Sequence, residues 1–219
     1  MNNDINSCGG LRRRALLRRG GGLVTLAATG ACVPSLPGQG PAPRTFRLTP
    51  KSTFPADLPR VDWGLVVAEP TAEPSLDTSR IAVLTNGTAV DYIAMATWVD
   101  RAPTMVETLL VQSFRESGRI AAVGTNRERV RADYLLRSDL RAFQLARNDG
   151  TTMVRVRLDP ALLALPRREL VASSSFSADV PPAAADIDAV VAAFDTALGR
   201  VLRDVVVWSL RTGRSPAAA

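Results

Sequence analysis

An α+β domain is the fold class that this 219-residue sequence predicts, with a mostly antiparallel or mixed β-sheet and two α-helices packed on one face. Three observations lead there. Val61, Trp63, Leu65 and Val67 alternate with other residues at a period of two, as a half-buried strand requires, and later runs do the same. Two stretches, one from Pro103 and one from Ala185, repeat apolar residues every three or four positions, which is a helical face. Asn86-Gly87 and Asn148-Asp149-Gly150 are turn sequences of the kind that close hairpins. No internal repeat of about 20–50 residues is present, which argues against a solenoid.

The elements follow in order. Seven prolines fall between residues 33 and 60, so most of this stretch reads as an extended tether, with residues 32–43 its Pro/Gly-rich part. The alternation Thr45-Phe46-Arg47-Leu48-Thr49 predicts a first strand. Val61–Ala68 is the next, residues 69–79 are loop, and Arg80–Leu84 and Ala89–Thr97 are a hairpin about Asn86-Gly87. Pro103 fits a first helical turn. Met105, Val106, Leu109, Leu110, Ser113, Phe114 and Ser117 form the face of that helix, which Gly118 stops. Arg119–Val123 is a strand and residues 125–131 a polar loop.

Ala132, Tyr134, Leu136, Ser138 and Leu140 share one strand face, whereas Phe143 and Leu145 fall in the opposite phase, which places a bulge near Arg141-Ala142. Val154, Val156 and Leu158 make the return strand, and Pro160 and Pro166 bracket a stretch to which the sequence assigns no element. Leu170, Ala172, Ser174, Phe176 and Ala178 form a further strand that ends at Pro181-Pro182. The final helix runs from Ala185 to Leu210, with Asp186 and Asp188 at its positive end. Ile187, Val191, Phe194, Leu198, Val201, Val205 and Trp208 are its buried stripe. The domain therefore spans 44–210, and 211–219 is expected to be a disordered tail.

Ahead of it lies a leader, 1–31, with Arg12, Arg13, Arg14, Arg18 and Arg19, a short apolar stretch, and small residues before Cys32. This is the layout of a secretory signal. Its apolar part is about a dozen residues, too short for a bilayer core that needs about 20. Thr29-Gly30-Ala31-Cys32 resembles the bacterial lipobox, in which the cysteine becomes the acylated first residue of the mature chain. Cleavage there removes Cys8, so Cys32 is the one cysteine left. A lone thiol in an oxidising compartment has nothing to pair with, and lipidation of Cys32 accounts for it. Two or three acyl chains anchor stably, at about 0.8 kcal/mol per buried methylene. Arg13-Arg14 followed by Ala15-Leu16-Leu17-Arg18 looks like a twin-arginine export pattern, although any signal needs a basic start. Val33 follows the cysteine where enterobacterial-type lipoproteins kept in the inner membrane carry Asp, so that resemblance implies the outer membrane, facing the periplasm.

Composition narrows the function. Removing the leader leaves 22 basic and 20 acidic residues, so the high isoelectric point belongs largely to the discarded segment. No dense basic block with interleaved aromatics points to nucleic acid. The chain has no histidine, which removes the commonest general base and metal ligand. With Cys32 acylated no thiol nucleophile remains, and no Gly-rich phosphate loop is present. Carboxylates are present, but no spacing singles out a pair. No catalytic, cofactor-binding or metal-binding residue is therefore named.

Ser79-Arg80-Ile81-Ala82-Val83, and then the run from Asp91 through Tyr92, Trp98 and Asp100-Arg101-Ala102-Pro103, resemble the signature of the ABC-type transport auxiliary lipoproteins. The likeness continues through Leu109–Phe114, Ser117-Gly118-Arg119 and Ala132–Leu136, and ends at Trp208. It implies a non-enzymatic envelope lipoprotein with no cofactor. Its implied partners are ABC-transporter proteins with a mammalian-cell-entry-type subunit, which move phospholipid or other hydrophobic molecules. Trp98 and Tyr92 also read simply as core aromatics. Two other functions fit the residues: a lipoprotein that only binds another envelope protein, and a carboxylate-based envelope enzyme.

Overall fold

The computed structural model describes residues 42–128 and 131–214. The chain divides into two units, Met1–Gly40 and Pro41–Ala219, and every described residue belongs to the second. The leader, Cys32 and nearly all of 32–43 lie outside the described residues. In chain order the elements are β1 (Arg44–Phe46), β2 (Val61–Val67), β3 (Thr71–Ala72), β4 (Arg80–Thr85), β5 (Ala89–Trp98), α1 (Ala102–Ser117), β6 (Ile120–Thr125), β7 (Tyr134–Asn148), β8 (Thr151–Ala164), β9 (Glu169–Ser173), β10 (Phe176–Val180) and α2 (Ile187–Thr212).

The fold is α+β, with one mixed sheet and two helices, as the sequence predicts. Its axis is the hairpin β7–β8, closed by Asp149 and Gly150 at φ 43° and 81°. Three parallel strands share one edge of β7 along its length: β2 against Tyr134–Leu136, β3 against Asp139–Leu140, and β4 against Gln144–Arg147. The sheet forks there. β6 continues beyond β2, while β5 and then β1 continue beyond β4. On the far edge of β8, β10 pairs with Val154–Leu158 and β9 with Ala161–Ala164.

The bulge stands where the phase change puts it. Leu140 pairs with Leu158 and Ala142 with Arg157, so Arg141 is the extra residue on β7. It lets Leu136 and Leu140 on one side, and Phe143 and Leu145 on the other, enter the same core. Gly118 ends α1 in the left-handed region at φ 60°, where a Cβ is unfavourable. Asp186 caps α2 by accepting the Ala189 N–H at 2.8 Å. α2 packs on β8 and β10, α1 on β6 and β2, and the helices touch each other. Trp98, Phe143 and Phe194 meet at ring-centroid distances of 5.1–5.6 Å in the core between sheet and α2.

Several boundaries differ from expectation, each for a physical reason. Most of 47–60 belongs to the fold rather than to a tether, since Leu48 and Leu58 are buried and Phe54 packs on the core. Loop 69–79 contains the two-residue strand β3. β8 runs straight through Pro160. The Pro160 carbonyl accepts the Ser174 N–H at 3.0 Å on the side where β8 changes partner, so the missing proline N–H costs no ladder bond. The strand expected over 170–178 is two, β9 and β10, which divide β8's far edge between them; Leu170 is 64% exposed. The stripe of α2 is broader than expected. Val190, Ala193, Ala197, Leu202, Val206 and Ser209 are also buried, while Ile187, Val191 and Trp208 are partly so, because α2 faces α1 as well as the sheet. Finally, α2 reaches Thr212. Gly213 lies where a Cβ would run into the Trp63 ring, and the Tyr134 hydroxyl donates to the Arg214 carbonyl at 2.6 Å, so residues 211–214 are part of the fold.

Candidate functional site

The residues between Ser79 and Pro103 form a junction. The Arg80 guanidinium stacks over the Tyr92 ring, 3.6 Å from its centroid, and the Tyr92 hydroxyl donates to the Ser75 carbonyl at 3.3 Å. The Trp98 backbone N–H donates to Ser79 at 2.7 Å, and the Ala102 N–H donates to Thr78 at 3.0 Å. The Trp98 side chain is 2% exposed, inside the aromatic core. Arg101 pairs with Asp77 and, at 3.0 Å, with Glu69. These contacts splice β4, β5 and the start of α1 together. Tyr92 and Trp98 are thus placed as structural residues.

From Arg101 a chain of charges continues along α1. Glu69 also takes Arg127 at 3.0 Å, and Arg127 lies 3.7 Å from Glu107. Glu107 is only 2% exposed. Burial pushes its carboxyl above the ordinary carboxylate value. The Arg127 charge acts in the other direction, and Glu69 and Glu128 add to the rise. Among the described residues no group of three or more His, Cys, Asp and Glu is placed to hold a metal ion, and no helix is long and apolar enough to cross a membrane.

A second cluster lies on the other flank of α1. The segment 49–52 crosses between the two helices and is pinned to both. The Thr49 backbone N–H and hydroxyl donate to Asp195 of α2 at 2.7 and 2.9 Å. The Lys51 N–H donates to the Ser113 hydroxyl of α1 at 2.9 Å, and that hydroxyl donates to the Leu109 carbonyl at 2.6 Å. Ser113 is fully buried. Between segment 49–52 and α2 is a cleft of about 480 Å³, into which Lys51, Arg200 and Arg203 all contribute. Its lining is polar; Pro50 is the one apolar side chain in it larger than a methyl group. Beside it a groove of about 390 Å³ runs between the same segment and α1, past Leu48, Val99, Met105 and Leu109.

Cys32, the residue expected to be lipidated, is outside the described residues. Neither Glu107 nor the Lys51 cleft was marked by the sequence. Glu107 sits at a helical position that the apolar face brackets without including, and the cleft joins residues about 150 positions apart, which only the fold brings together.

The family model described as ABC-type transport auxiliary lipoprotein component matches residues 46–206. An uncharacterized protein of Bradyrhizobium diazoefficiens is 31% identical over 166 residues, covering 74% of this chain and 43% of its own, so the chain spans less than half the length of that relative. A crystal structure of a Xanthomonas campestris protein of family model DUF330 superposes with a TM-score of 0.74 at 33% identity, over 78% of this chain and 96% of that one. A second solved structure, of an uncharacterized protein, reaches a TM-score of 0.52 at 11% identity over 78% and 95% of the two chains, which is likeness of fold alone.

Proposed function

The chain belongs to the ABC-type transport auxiliary lipoprotein family, and on that footing we propose that it is a non-enzymatic, lipid-anchored auxiliary component of an ABC-type transporter in the bacterial envelope. The reading is carried by one conjunction. The family match spans almost the entire folded domain, and a small-residue site ending in Cys32 precedes the first strand by only 12 residues. Cys32 is the acylated first residue of the mature protein, and residues 32–43 are the tether between lipid and domain. The transported molecules are lipids or other hydrophobic substrates, the partner is a mammalian-cell-entry-type subunit, and a separate ATPase supplies the energy. The anchor lies in the outer membrane with the domain facing the periplasm. The described domain is consistent with a role without catalysis, since its buried acid Glu107 faces an arginine, Trp98 is a core residue and the half-buried Tyr92 packs against the core beneath Arg80.

Complementation tests this. In cells lacking the chain, the wild type should take up a fatty-acid probe, fractionate with membranes and correct the phenotype shared with loss of the transporter permease. Cys32→Ala should take up no probe, appear in the soluble fraction and correct nothing. An unlabelled wild type, or full correction by Cys32→Ala, overturns the anchored role.

A further inference from the structure

We infer that the cleft between segment 49–52 and α2 is an oxyanion site that binds a phosphate group through Lys51, Arg200 and Arg203. The inference goes beyond the transport role and does not depend on it.

The charges come first. Three cations line one cleft. Asp195, the only carboxylate in the lining, is already engaged by the Thr49 N–H and hydroxyl. Arg203 has Asp204 beside it at 3.0 Å. Lys51 and Arg200 have no ion pair among the described residues, and Arg200 and Arg203, three apart on a helix, repel each other. An arrangement of this kind is relieved by an anion seated among the cations.

The geometry is also built in advance. Lys51 does not hang from a free loop, since Thr49, two residues before it, is tied to α2 through Asp195, and the Lys51 backbone N–H is itself tied to α1 through the buried Ser113. Its stem passes beside Gly199, where a Cβ would lie in ordinary contact with the Lys51 Cδ at 4.0 Å. Lysine brings a compact point charge with three donors, while arginine brings a planar fork suited to two oxygens. Together they match a tetrahedral oxyanion.

The lining sets the ligand class. The walls are mainly hydroxyl, backbone and charged groups, with Pro50 the one sizeable apolar side chain, so an acyl chain finds little to pack against. The volume exceeds that of a bare phosphate and admits a phosphate bearing a small polar substituent. Free phosphate and the phosphodiester of a lipid headgroup share this chemistry, and binding assays with each separate them.

Both assays use residues 33–219, so that neither an acyl anchor nor the arginine-rich leader contributes. In the first, inorganic phosphate is titrated against chloride at matched ionic strength while the melting temperature is followed. A ligand that binds only the folded state raises it. In the second, the chain is floated with phosphatidylcholine vesicles with and without phosphatidylglycerol. Lys51→Gln combined with Arg200→Gln should weaken binding about tenfold or more, the loss of about 1.4 kcal/mol. Lys51→Arg should retain it, and Arg137→Gln, exposed on β7 and away from the cleft, should leave it unchanged. A phosphate-dependent rise that the double variant loses supports the site with free phosphate as ligand. Phosphatidylglycerol-dependent flotation that the double variant loses, with no response to free phosphate, supports it with the headgroup as ligand. Wild type and double variant behaving alike in both assays overturns it.

Discussion

Glu107 is a carboxylate whose surroundings work against its charge. It is buried on α1, with one guanidinium 3.7 Å away and two further carboxylates nearby. Its proton is therefore held more tightly in the folded chain than in the unfolded one. Stability is lost as pH rises from the ordinary carboxylate value through the raised one, and below both values the group contributes nothing. Glu107→Gln removes that dependence. The variant should melt at or above the wild-type temperature at about pH 7 and match it at about pH 4. A variant that melts lower at neutral pH would show that the pair with Arg127 outweighs burial. Arg127 keeps Glu69 at 3.0 Å in either case, so the substitution leaves no buried cation unpaired.

At the level of elements, the hairpin β7–β8 decides the register of the whole sheet, because β2, β3, β4, β9 and β10 all pair with one of its strands. The extra residue Arg141 resets the phase halfway along. Deleting it would turn Phe143 and Leu145 outward, since a one-residue slip moves every later side chain to the other face. The deletion should therefore fail to give a cooperatively melting protein. Arg141→Ala, which keeps the backbone count and loses only exposed pairs with Asp139 and Asp159, should change stability by about 0.5 kcal/mol or less. Thermal denaturation of both chains checks this, and a deletion that melts like wild type would mean that the register is set elsewhere.

The bulge was legible in the sequence because a period of two makes a slip visible as soon as apolar residues change parity. The helix ends were legible for a similar reason, as Asp186 and Gly118 each supply a chemical group or backbone freedom that a terminus needs. The sequence leaves the stretch after Pro160 unassigned because the rule against proline in a strand depends on which way its nitrogen faces, and that is set by the handover from β10 to β9. The width of the α2 stripe was hidden because periodicity along one helix does not reveal a second packing partner. Segment 47–60 looked like tether from its prolines, although Leu48, Phe54 and Leu58 are spaced to dock on the core. Of the functional features, the reading of Cys32 rests on local pattern alone, and that position lies outside the described residues. The Lys51 cleft was not legible in the sequence, because lysine at 51 and arginines at 200 and 203 acquire meaning only once Thr49 is tied to Asp195.

For the whole molecule, docking of 47–60 shortens the reach of the proposed anchor. With Cys32 acylated as proposed, only residues 33–43 would separate it from β1, a span of about 37 Å if fully extended at about 3.1 Å per residue. The domain would then stay close to its membrane, and a complex crossing the periplasm would have to come to it. The most direct measurement is co-purification. The tagged full chain is extracted from native envelopes in mild detergent after brief cross-linking, and the recovered proteins are identified by mass spectrometry. An ABC permease, its ATPase and a mammalian-cell-entry-type protein should be recovered with the wild type in reproducible proportion, and lost when Cys32→Ala leaves the domain untethered. A wild-type chain that is acylated, folded and membrane-bound, yet recovered without any transporter subunit, would contradict the account.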